Sequence, residues 1–218
     1  MAWFECTGGS GGGGQSVTWT RTQLYTGGTS SSTTITLSAD YHNYDIIEFT
    51  CQNADTGRVT SLVTTPEILD SMFQYSTYVC FNECSNNQYC CFSKTTNTSW
   101  EKKAASRNLY VSDIYGLKCD GTVTKTTLYE RKSYSRSSVS ITGSGFLDYD
   151  YIFFSTCNNS NDETIICIFP FQCGNNAFST EYNTFVTNYY NSWFQFNITN
   201  TSIATDAHWF MVQGIKIT

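Results

Sequence analysis

Few side chains in this sequence could do acid–base work. Histidine occurs only as His42, in "ADYHNYD", and His208, just before "WFMVQGIK". Both sit where a hydrogen-bonded or solvated loop histidine is the simpler reading than a general base. Asp45, Glu48, Asp148 and Asp150 could meet in space as the two carboxyl groups of a glycosidase. Yet Asp45 and Asp150 each follow a tyrosine in the same phrase, which suits a structural hydrogen bond at a strand start. Cys80, Cys84, Cys90 and Cys91 could offer four thiolates to zinc, but their spacing is not the paired C-x2-C of a zinc ribbon, and adjacent cysteines on a strand face opposite ways. No nucleophile elbow, P-loop or dinucleotide fingerprint is present. The chain therefore reads as a non-enzyme, with no catalytic residue, no metal and no cofactor.

Two stretches suit binding better than catalysis. "EYNTFVTNYYNSWFQF" crowds Tyr182, Tyr189, Tyr190 and Trp193 among asparagines. Strand alternation cannot bury all of these rings on one face. Outward rings beside amides suit sugar rings or a protein partner, while the plainer reading places them in an aromatic core. At the start, "MAWFEC" is an apolar tip on the tether "TGGSGGGGQ". Trp3 and Phe4 would be the desolvated anchors of that tip in a larger partner.

The elements that must position these residues read as strands. Aromatics make up 16% of the chain, and Thr, Ser, Tyr, Phe and Ile come in short runs between Gly, Asn, Ser and Asp turns. The exception is "TTPEILDSMF", where Thr65 can cap and Pro66 can open one or two helical turns.

The strand pattern is written twice. "TQLY" ending at Tyr25 matches "TTLY" ending at Tyr129, and "SSTTIT" at 31–36 matches "SSVSIT" at 137–142. "YDIIEFTC" from Tyr44 matches "YDYIFFSTC" from Tyr149, "TNTS" at 96–99 recurs at 199–202, and "DIYGLK" at 113–118 matches "MVQGIK" at 211–216. The order is the same throughout, and the first copy is longer by a short insertion within 66–91. The expected fold is all-β, with two tandem β-sandwich (jelly-roll-like) domains related by an internal repeat and preceded by a short Gly-rich N-terminal tether. Residues 1–15 form the anchor and tether, 16–119 the first repeat and 120–218 the second. Each repeat is expected to carry its own core, so that 121–218 would fold alone.

Composition narrows the partners. The formal net charge is −6 with 14% charged residues, and no basic stripe or polybasic patch offers itself to nucleic acid or anionic lipid. No apolar run approaches the roughly 20 residues of a membrane helix. The opening lacks the basic start and apolar run of a secretory leader. The ten cysteines are accordingly expected to be mostly free thiols, with a local disulfide as the alternative.

With "LY", a Ser/Thr/Gly loop, "TITLS", "YDIIEF" and the closing "GLK" or "GIK" assembled, the chain resembles the small β-domains at the distal ends of bacteriophage tail fibres and receptor-binding proteins. The resemblance touches most of 16–218. It implies a virion protein made in the host cytoplasm and released by lysis. It also implies attachment to other virion proteins of tail or capsid through the N-terminus, with a host surface glycan or protein as the ligand, and it allows a homotrimer. A short tip and tether stand where such proteins carry a long stalk, so a capsid decoration or head-fibre protein with a purely structural role is the alternative.

Overall fold

The computed structural model describes residues 17–75, 78–83, 88–105, 108–130, 139–140, 148–157, 163–166, 169–172, 183–186, 193–198, 202–205 and 208–218, the last hundred residues largely by backbone. The described chain is mostly strand. In order it runs β1 (Trp19–Tyr25), β2 (Thr34–Thr36), β3 (Ile46–Asn53), β4 (Val59–Thr64), helix α1 (Pro66–Tyr75), β5 (Tyr78–Glu83), β6 (Gln88–Thr96), β7 (Ser99–Ala105) and β8 (Leu109–Cys119). It continues with β9 (Val123–Glu130), β10 (Val139–Ser140), β11 (Tyr151–Cys157), β12 (Glu163–Ile166), β13 (Phe169–Gln172), β14 (Asn183–Val186), β15 (Trp193–Ile198), β16 (Ser202–Thr205) and β17 (His208–Ile217). The fold is all-β with antiparallel pairing throughout, except that β12 joins β5 in parallel.

Four sheets result. The first has strand order β1-β8-β3-β4, and another, from the second half of the chain, has the order β9-β17-β11-β13. The remaining two run β12-β5-β6-β7-β2 and β14-β15-β16-β10. The phrase beginning Tyr-Asp has the same job in both halves. A Cβ on Gly116 would overlap the ring of Tyr44, and one on Gly214 would lie 2.5 Å from Cδ1 of Tyr149, so each tyrosine lies flat on a glycine of the neighbouring strand. The aspartate that follows accepts from a backbone amide across the pair. Cys119 N reaches Asp45 Oδ2 at 3.0 Å, and Ile217 N reaches Asp150 Oδ2 at 2.7 Å. Lys118 and Lys216 complete the two arrangements at 3.1 and 3.5 Å. Asp45 and Asp150 are thus bound into strand starts.

Local chemistry explains the connections. Between β3 and β4 the buried Asn53 side chain accepts from the amides of Asp55 and Thr56, and Gly57 takes the φ of +68° that the turn requires. Thr65 Oγ1 accepts from Ile68 N and so caps α1, with Pro66 at its first position. The helix has ten residues, nearly three turns, and is longer than its start signal predicts. The reason is tertiary: Ile68, Leu69 and Met72 form a fully buried face.

The inner faces of the first sheet and the β5–β7 sheet meet through aromatic rings. Phe49 contacts Phe81 and Trp100 at centroid distances of 4.6 and 5.8 Å. Side chains of both halves meet in one buried cluster among the described residues. Tyr151, Phe153, Met211 and Ile215 of the second half belong to the same buried cluster as Ile68, Leu69 and Met72 of the first. Phe153 lies three residues after Asp150, the place that Glu48 holds after Asp45. Glu48 instead ion-pairs with Arg21 at 2.8 Å, and Arg21 in turn lies 3.3 Å above the Tyr115 ring. One sheet thus carries an apolar outer face for α1 where the other carries a charged one.

Candidate functional site

Among the described residues, the densest gathering of ionisable groups surrounds His42. A single turn of 3-10 helix, Tyr41–Asn43, is capped by Asp40, whose Oδ1 accepts from His42 N at 2.9 Å. That turn presents the imidazole to α1 with both ring nitrogens on carboxylates: Nδ1 lies 2.6 Å from Asp40 Oδ1 and Nε2 lies 2.6 Å from Asp70 Oδ2. Neutral imidazole has one N–H and could satisfy only one carboxylate, so the arrangement calls for the doubly protonated ring.

The network continues inward. Asp70 Oδ1 accepts from the Tyr41 hydroxyl and from Lys94 Nζ, the latter at 2.8 Å. Lys94 also donates to the Tyr41 oxygen at 2.8 Å, and Asn97 Nδ2 donates to Asp40 Oδ2 at 2.9 Å. Tyr41 is fully buried, stacked on His42 at 4.2 Å and edge-on to Trp100.

These contacts set the charges. Burial disfavours the imidazolium, but hydrogen bonds to Asp70 and Asp40 outweigh it and raise the His42 pKa. Desolvation of Asp40 is likewise outweighed, by the His42 amide and the Asn97 side chain, and its pKa falls to about 2. Asp70 is held below the usual carboxylate value, against its own burial, by His42, Lys94 and Tyr41. Burial first, and the Asp70 carboxylate second, push the Tyr41 phenol upward. Two cations therefore face two carboxylates, and every carboxylate oxygen already accepts a hydrogen bond.

Beside this network lies an open cavity of about 570 Å³ lined by His42, Asp70, Phe73, Gln74, Lys94, Thr95 and Asn97. The Phe73 ring, backed by Trp100 at 5.5 Å, supplies its apolar wall. Cysteine, serine and threonine nucleophiles paired with His42 are absent from the described contacts. Nor do the described residues contain a group of three or more His, Cys, Asp or Glu arranged to hold a metal.

The residues singled out for binding from sequence are elsewhere. Trp3, Phe4, Tyr182, Tyr189 and Tyr190 lie outside the described residues. Trp193 opens β15 opposite Val186, and its backbone alone is described. His42 was legible as a hydrogen-bonded loop histidine. Asp70 and Lys94 carried no signal, because helix and strand bring them to His42 from far along the chain. Among the cysteines, Cys51, Cys90 and Cys119 are buried thiols, while Cys91 is disulfide-bonded.

No protein-family model, curated protein or solved structure matches this chain.

Proposed function

We propose that this chain is a non-catalytic attachment module built from two tandem β-sandwich, jelly-roll-like domains related by an internal repeat, of the kind found at the distal ends of phage tail fibres and receptor-binding proteins. The matching strand orders of the two halves and their matching Tyr-Asp and glycine contacts support the repeat. The observation that carries the binding role is the saturated His42 network next to an open cavity. A catalytic acid or base needs a proton it can give or take near neutral pH. Asp40 and Asp70 are pinned as carboxylates, and His42 spends both ring nitrogens on them, so the network presents a fixed, shaped surface suited to recognition. In this reading residues 1–15 hold the module to a particle, with Trp3 and Phe4 as anchors.

A structural decoration or head-fibre role is the second reading. It is favoured by the packing of α1 between the two halves, which makes a stiff body whether or not the cavity is used. Fluorescently labelled full-length protein incubated with a broad panel of bacterial strains separates the two. Saturable adsorption to one or more strains supports attachment. Absence of adsorption, with immunogold labelling confined to the heads of particles, supports decoration.

A further inference from the structure

Resting on the attachment reading, we infer that the cavity between the His42 turn, α1 and β6 takes an uncharged pyranose ring laid against Phe73. Charge selects the class of ligand. His42 and Lys94 stand against Asp40 and Asp70 in one connected network, so the cations and anions cancel. An acidic sugar or a phosphate would bring a further anion onto two carboxylates, and an amino sugar would bring a further cation onto Lys94 and His42. Either charge would lose hydration without gaining an unshared partner.

Polar valences select a polyhydroxylated molecule. Lys94 Nζ has three hydrogens and spends two, on Tyr41 and Asp70. Asn97 spends one of its two amide N–H groups on Asp40, and its carbonyl has no partner among the described residues. The Gln74 amide, exposed at the rim, likewise has none among them, and Thr95 adds a hydroxyl. One donor and three groups that both donate and accept, set around a half-buried aromatic ring, match hydroxyls at the edge of a sugar and C–H groups on its face. The cavity volume of about 570 Å³ falls in the range of small-ligand sites, roughly 300–1,000 Å³.

The test titrates full-length protein with the methyl glycosides of glucose, galactose and N-acetylglucosamine, and with N-acetylneuraminic acid, glucosamine and inorganic phosphate. It is followed by saturation-transfer NMR and by intrinsic tryptophan fluorescence. At least one neutral glycoside is expected to bind about tenfold more tightly than any charged probe, and Phe73→Leu, which also loosens packing on Trp100, is expected to weaken it by about tenfold in protein shown by its urea midpoint to remain folded. Gln74→Ala, at an exposed position, serves as the second variant and should weaken binding without touching the fold. The inference is overturned if no neutral glycoside binds, if a charged probe binds most tightly, or if both variants bind as the parent does. Adsorption of the same proteins to bacteria keeps the two readings apart. Adsorption that no sugar competes sinks the pocket and spares attachment, whereas sugar binding without adsorption does the reverse.

Discussion

Thr65 Oγ1 donates to Gln213 Oε1 at 2.6 Å, and both residues are buried. Thr65 caps α1 from the first half, and Gln213 lies on β17 of the second, 148 positions away. Around this pair, Lys125 reaches Glu67 at 2.9 Å and Ser71 reaches Glu130 at 2.9 Å. Removing only one partner would strand a buried polar group. We expect Thr65→Val to destabilise the protein by about 1–3 kcal/mol and the double variant Thr65→Val/Gln213→Leu to recover part of that loss. Urea unfolding of Thr65→Val, Gln213→Leu and the double variant checks it, and additive losses would deny the coupling.

The same interface bears on independent folding. Residues 121–218 alone would expose Tyr151, Phe153, Met211 and Ile215, all buried in the intact chain. The fragment is expected to associate, or to unfold without a sharp transition. A monomeric fragment with a cooperative melt would show that the shared cluster is dispensable.

The glycines under Tyr44 and Tyr149 leave no room for a methyl group. Gly116→Ala and Gly214→Ala should each cost roughly 1–3 kcal/mol by overpacking. Tyr44→Ala combined with Gly116→Ala should cost less than the sum of the two single changes. Calorimetric melting of the full cycle decides the matter.

The pKa of His42 is raised in the folded state, so its contribution to stability is complete below the unfolded value of about 6.5 and is lost as pH rises through the raised folded value. Asp40 works in the opposite sense: its contribution is present above about 3.9 and is lost as pH falls through about 2. The melting temperature of the parent should decline as pH rises from 6 to 9, and His42→Asn should flatten that decline. An NMR titration of His42 with a midpoint at or below the ordinary value would contradict the doubly paired imidazolium.

Cys91 gives a chemical prediction. The β5–β6 register sets Cys80 directly opposite Cys91, and opposed positions of an antiparallel pair are close enough for a bridge. Non-reducing peptide mapping should join the two segments, and alkylation of denatured, unreduced protein should modify fewer than the ten cysteines present. Full alkylation without reductant would return all ten to thiols.

Much of the strand framework was legible because its signals are local or repeated. Tyr-Asp at one strand and Gly-x-Lys at its neighbour recur in order, and a repeated phrase survives even where its geometry is unknown. The start of α1 was legible from Thr65 and Pro66, but its end was not, because the second half buries its inner face. The candidate site was the least legible part. Asp70 lies 28 positions from His42, and Lys94 lies 53 from Tyr41, with no spacing rule linking them before the chain folds. The charge of Glu48 against the ring of Phe153 was visible as a difference between the copies. Its meaning, an ion pair with Arg21 on one sheet and a helix on the other, required the packing.

In each half the strand written last is the one placed in the middle. β8 lies between β1 and β3, and β17 lies between β9 and β11. Trp19 waits for Cys119, and Val123 waits for Ile217. During synthesis β1 and β3 therefore leave the ribosome with a gap between them that about sixty further residues must precede, at a rate of roughly 5–20 residues per second. For several seconds their edges are open to any neighbouring nascent chain. The helix needs even longer, since β17, the strand it packs against, is not made until residues 208–217. A pause or stop near residue 210 would leave β9 and β11 without the strand that lies between them and α1 without part of its cover.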